Sequence, residues 1–102
     1  MRTMNYAPEI ASAENVGKRL RFLRRALGLS QAEFSARIVQ GRTAYNNWEK
    51  GFRRPTIEAT IAICNEFGVD LDYIYLGRLD RTPFALAKAI LALPEADSHF
   101  QG

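Results

Sequence analysis

Residues 28–51 read GLSQAEFSARIVQGRTAYNNWEKG, and the spacing within them decides the fold. Ser30-Gln31-Ala32-Glu33 is a capping-box pattern: the serine hydroxyl takes an orphan backbone N–H and the glutamate reaches back to the cap. A helix therefore starts at Gln31, with Phe34 and Ile38 on its buried side. Val39-Gln40-Gly41 breaks it. A second short helix runs from Arg42 to Lys50, carries Tyr45 and Trp48 three apart, and stops at Gly51. Isolated helices under roughly 12–15 residues are marginal in water. Tyr45 and Trp48 must therefore anchor this one to a core.

Helical spacing continues on both sides. Upstream, Val16, Leu20, Leu23 and Leu27 form one stripe of a helix that Gly28 stops. Downstream, Phe52-Arg53-Arg54-Pro55 is a basic loop closed by proline. Thr56 can cap a fourth helix, with Ile57, Ile61 and Cys64 on one face and Thr60, Ile63 and Phe67 beside it. Gly68 ends it. Asp70 can cap a fifth helix over 71–76, stopped by Gly77. Residues 78–82 form a polar linker, and Pro83 opens an apolar segment, 84–93, that Pro94 ends. No strand alternation or internal repeat is present. The expected fold is all-α: a compact five-helix domain over residues 12–78 and a linker with an apolar C-terminal helix over 79–94. Flexible tails are expected at 1–11 and 95–102.

The chain has 102 residues, 47% hydrophobic and 25% charged, which fits one globular domain and excludes wholesale disorder. No apolar run is long enough to span a membrane, and no secretory leader opens the chain, so it reads as cytoplasmic. The single cysteine, Cys64, cannot form an internal disulfide and reads as a buried structural thiol. The single histidine, His99, has no second histidine to join it and reads as a solvated tail residue. Triads and zinc sites are disfavoured, no enzyme is expected, and neither is a cofactor or metal.

The net charge of +3 is unevenly spread. Residues 18–54 carry ten basic side chains against Glu33 and Glu49, a net +8, whereas residues 55–102 carry −4. A basic half joined to an acidic half is the footprint of a polyanion binder, and a solvated arginine-rich face would carry the same charge. Two short helices joined by a tight turn, inside five, are the helix-turn-helix arrangement.

The chain resembles the Cro/phage-repressor type of helix-turn-helix regulator, the XRE family. The residues that carry the resemblance are Gly-Leu-Ser-Gln (28–31), Phe34, Ile38, Trp48-Glu49-Lys50-Gly51, Pro55, Phe67-Gly68-Val69-Asp70 and Leu76-Gly77. They lie within about residues 15–78. The chain departs from the family at the turn, which reads Val39-Gln40 where Gly-Val is usual, so Val39 is expected to supply the buried contact. Gly41 stands where a serine or threonine cap is common. Tyr45 replaces a usual aliphatic, which implies a roomier core or a hydroxyl reaching the DNA backbone.

The resemblance implies a partner, a double-stranded DNA operator, and makes residues 42–50 the recognition helix. Arg42, Thr43 and Asn47 fall where base-contacting side chains sit, and Asn46 flanks them. Arginine pairs with guanine and asparagine with adenine in the major groove, whereas the dull alternative is a merely polar face. Gln31, Tyr45, Lys50, Arg53 and Arg54 are the phosphate candidates. Arg24 and Glu49 are implied as an internal ion pair tying helix one to helix three. Arg19, Arg21 and Arg25 read as solvated. The implied function is a small transcription regulator, foremost a repressor by occlusion, with an antitoxin-type autoregulator as the near alternative. A protein-binding adaptor that uses the apolar C-terminal segment is the distant one.

One recognition helix reads few base pairs, so a homodimer is expected. Its candidate surfaces are helix five, through Tyr73 and Tyr75, and the C-terminal segment, through Phe84, Leu86, Ile90 and Leu91. A segment apolar nearly all round must be covered, and sharing between two subunits is the favoured expectation.

Overall fold

The computed structural model describes residues 9–101 and shows no strand among them. Among the described residues seven helices are set out in full: α1 (Ala13–Ala26), α2 (Gln31–Arg37), α3 (Arg42–Glu49), α4 (Ile57–Phe67), α5 (Leu71–Leu76), α6 (Phe84–Leu91) and α7 (Ala96–Gln101). Of the expected N-terminal tail, residues 1–8 lie outside the described residues, as does Gly102 at the other end.

Local chemistry starts each helix where the side chains permit. Ser12 accepts from the Asn15 amide at 3.1 Å, Thr56 from Ala59 at 3.1 Å and Asp70 from Tyr73 at 2.9 Å. The capping box at α2 is complete: Glu33 N–H donates to the Ser30 hydroxyl, and Ser30 N–H to the Glu33 carboxylate. Those bonds hold the exposed Glu33 carboxyl below the usual carboxylate range. Glycines 28, 51, 68 and 77 all take positive φ just beyond helix ends.

At the end of α2 the same geometry is built on valine. Val39 has φ 56°, its N–H donates to Ala36, and Gln40 N–H donates to Ser35. This is the Schellman closure, with a β-branched residue in the left-handed position that glycine normally fills. Val39 is also 88% exposed, so it does not supply the buried contact expected of it.

α1 is the central strut and packs against α3, α5 and α6. Val16, Leu20, Phe22 and Leu23 are buried on it, while Leu27, assigned to the same stripe, is exposed. Gly17 lets α3 come close: a Cβ there would lie 2.3 Å from the Trp48 carbonyl oxygen and 2.9 Å from that of Glu49. Phe34 stacks on Phe67 at 4.3 Å and meets Tyr45 at 4.8 Å, joining α2, α3 and α4. On α4 the buried face is Ala59, Thr60, Ile63 and Phe67. Ile57 and Ile61 point outward, and Cys64 is half-buried with its thiol pushed up by burial and then by Asp70.

The C-terminal region departs furthest from expectation. α6 folds back on α1 of its own chain, with Ile90 fully buried, so this side of the segment is covered in cis. Its other side, with Phe84 at 82% exposure, stays bare. Residues 96–101 form a helix instead of a tail. Ala96 is buried, and Phe100 and His99 pack their rings against Phe22 at 6.0 and 5.5 Å. Arg19 is buried under them rather than solvated, and Arg21 is half-buried beside Glu95 at 3.3 Å.

Candidate nucleic-acid interface

α3 owes its position to its inner face. Tyr45 and Trp48 are sunk in the core, ring edge to ring face at 5.9 Å. Next to them Glu49 is the hub of a buried polar cluster. Arg24 of α1 grips its carboxylate with two N–H groups, Nε at 2.6 Å and Nη2 at 3.1 Å, and sends Nη1 to the Leu29 carbonyl at 3.0 Å. The Tyr45 hydroxyl donates to the same carboxylate. Gln31 of α2 donates to it at 3.1 Å.

Burial pushes the Glu49 carboxyl up, but the bonds from Arg24, Tyr45 and Gln31 outweigh it and hold the pKa below the ordinary value. The Glu49 hydrogen bond raises Arg24, and burial followed by the Glu49 charge raises Tyr45. A charge pair with every lone pair answered is the arrangement in which burial is tolerated. It ties α1, α2 and α3 into one rigid head.

The outer face of α3 has one such tie, from Gln31 to the Asn46 amide oxygen at 3.0 Å. Arg42 and Thr43 are exposed, and Asn46 and Asn47 are half-buried. Gln31, Arg42, Thr43 and Asn46 line a shallow groove of about 240 Å³ between α2 and α3. Gly41 gives the first turn no side-chain cap. Beyond α3, Lys50, Phe52, Arg53 and Arg54 are all exposed. Lys50 Nζ lies 5.8 Å over the Phe52 ring, and Arg54 Nε donates to the Ala11 carbonyl at 2.6 Å. Arg42, Lys50, Arg53 and Arg54 form no ion pair among the described residues. The result is a polar helix face flanked by an unneutralised basic loop.

A helix-turn-helix family model matches residues 20–74, from the middle of α1 into α5. The chain belongs to the helix-turn-helix family. Within it the type is that of the Cro/phage repressors, the XRE regulators, a family of DNA-binding transcription regulators. No curated protein and no solved structure matched the chain. α6 and α7 lie outside the matched residues.

As a helix-turn-helix, the molecule corrects several expectations. Tyr45 has no exposed surface, and its hydroxyl is spent on Glu49, so it cannot touch phosphate. The larger side chain takes the aliphatic's place by bringing a polar partner into the core. Both N–H groups of the Gln31 amide are committed, to Asn46 at 3.0 Å and to Glu49, which leaves its side chain no donor for phosphate. Accepting from Gln31 aims Asn46 so that its own amide N–H groups remain to donate. Tyr73 and Ile90 are fully buried and form no outer surface; the Tyr73 hydroxyl donates to the Arg19 carbonyl at 2.6 Å. Tyr75 and Leu86 are half-buried, Leu91 is exposed, and the Tyr75 hydroxyl meets Thr60 at 3.0 Å. Phe52, exposed between Lys50 and Arg53, puts an aromatic ring into the basic loop.

No helix among the described residues is long and apolar enough to cross a membrane.

Proposed function

We propose that the protein is a sequence-specific binder of double-stranded DNA that represses transcription by occluding its operator. The observation that carries this reading is the division of α3. Its inner residues are fixed by the core and the Glu49 cluster, while Arg42, Thr43, Asn46 and Asn47 stand on the outer side. Arg42 reads guanine O6 and N7, Asn47 reads adenine N6 and N7, and Thr43 and Asn46 contact flanking bases. Lys50, Arg53 and Arg54 neutralise phosphates and set the register. Gln31 serves the site from behind, as the brace between α2 and α3.

Two copies act together on half-sites about one helical turn (~34 Å) apart. An apolar groove of about 280 Å³ supports a second copy's docking, lined by Ile57, Thr60, Ile61, Leu71 and Tyr75 between α4 and α5. Ile57 follows Arg54 by three residues, so pairing there keeps the two phosphate loops together. Selection of bound sequences from random duplex DNA, with purified protein, tests the reading. A palindromic consensus with two half-sites is the expected result. Absence of any enriched sequence overturns it in favour of an adaptor that uses the bare side of α6.

A further inference from the structure

The two most buried charges of the described residues are treated differently. Glu49 is answered by a cation and two neutral donors. Arg19, only 3% exposed, is answered by no carboxylate among the described residues. Its acceptors are neutral: Nη1 donates to the Ile74 carbonyl at 3.0 Å and Nε to His99 Nε2 at 3.2 Å. A carbonyl near a helix C-terminus offers a share of about half a charge, which leaves the site positive. Nη2 makes no hydrogen bond among the described residues. Burial lowers the Arg19 pKa, and burial followed by the Arg19 and Lys18 charges pulls His99 down to about 4.

This guanidinium borders a cavity of about 370 Å³ between α1, the end of α5 and α7. That volume falls within the roughly 300–1,000 Å³ range of small-molecule sites. Ile10, Leu76 and Phe100 give it apolar walls, Asn15, Gly77 and His99 polar ones, and the exposed Glu9 also borders it. Gly77 keeps the guanidinium approachable: a Cβ there would stand 3.0 Å from Nε and 3.1 Å from Nη2 of Arg19.

We propose that this cavity binds a small apolar carboxylic acid, its carboxylate on Nη2 of Arg19 and its body against Ile10, Leu76 and Phe100. An anion supplies the counter-charge that no carboxylate among the described residues gives Arg19, and the three apolar side chains select against a bare inorganic ion. The site lies apart from α3, since neither Arg42 nor Asn47 borders it. Its test therefore needs no DNA and does not depend on the operator reading.

Benzoate is a suitable probe, titrated at constant ionic strength into the full-length ¹⁵N-labelled protein. The backbone amides of Asn15, Gly77 and His99 should shift saturably. Benzyl alcohol, the uncharged analogue, should leave them unmoved. Arg19→Met should weaken binding roughly 10- to 100-fold, the worth of a charged hydrogen bond. Leu76→Trp, which fills the cavity and spares the guanidinium, should abolish the shifts and keeps the test decisive should Arg19→Met fail to fold. Absence of saturation, an equal response to benzyl alcohol or inorganic phosphate, or shifts confined to residues 42–47 would each overturn the proposal.

Discussion

Glu49→Ala should cripple the fold without touching the outer face of α3. The substitution leaves the Arg24 guanidinium facing a void, at 15% side-chain exposure, with the Tyr45 hydroxyl and the Gln31 amide orphaned beside it. Breaking one side of a buried pair costs about 3–5 kcal/mol. That is a large share of the roughly 5–15 kcal/mol that stabilises a domain of this kind. At about 4–8 °C per kcal/mol for a domain of this size, the midpoint should fall by tens of degrees. Arg24→Ala should cost less, because Tyr45 and Gln31 still donate to the carboxylate. The double mutant should be less destabilised than the sum of the two losses. Urea unfolding of the four proteins in the cycle measures the coupling, and additive losses would refute the cluster.

The pH dependence gives a second arm. The folded Glu49 carboxyl titrates below its ordinary value, so the unfolded chain takes up the proton first as pH falls. Its contribution is complete above the ordinary carboxylate pKa of about 4.3 and is lost as pH drops through the lower folded value. Glu49→Gln should flatten that acid limb.

His99 titrates at about 4 in the folded chain against 6.5 ordinarily, so stability should decline as pH falls from 6.5 toward 4. An imidazole NMR titration with a midpoint near 6.5 would mean that α7 does not pack as described. Val39→Gly should raise stability by about 1 kcal/mol, since left-handed backbone costs an L-residue about 1–2 kcal/mol and glycine returns part of it as entropy. A lower thermal midpoint would remove strain as the explanation. Arg42→Ala should cost roughly 1–3 kcal/mol on the cognate site and relax one base pair, whereas Arg54→Ala should weaken every sequence and lower the salt slope by about 0.9. Uniform losses for both in binding titrations would end the division between readers and positioners.

Helices α1 to α5 were legible because local chemistry marks their ends: Ser30 with Glu33, Thr56, Asp70, and the glycines that follow α1, α3, α4 and α5. What stayed hidden depends on long-range contacts. Arg19 has the spacing of a flank residue, and it is buried by the end of α5, through Ile74 and Gly77, together with the return of α7 from eighty positions away. His99 and Phe100 look like part of a frayed tail until Phe22 is seen to receive them. Tyr45 could be placed in the core by its spacing from Trp48, but the destination of its hydroxyl required three helices to be in place. Gln31 was marked for the interface, and the geometry turns it inward because Asn46 and Glu49 are both within reach. Ile57 and Ile61 satisfied helical periodicity, which cannot say which of two apolar flanks of α4 faces the core.

The contact at Gly17 has a consequence for how such a protein can change. There the two backbones touch, so the tilt and depth of α3 are fixed by main-chain atoms, which mutation cannot gradually enlarge or trim. The side chains at 42, 43 and 47 project from the opposite flank and support nothing behind them. On the proposed reading, preference for one DNA sequence over another can thus drift one substitution at a time, while the orientation in which any sequence is met remains inherited intact.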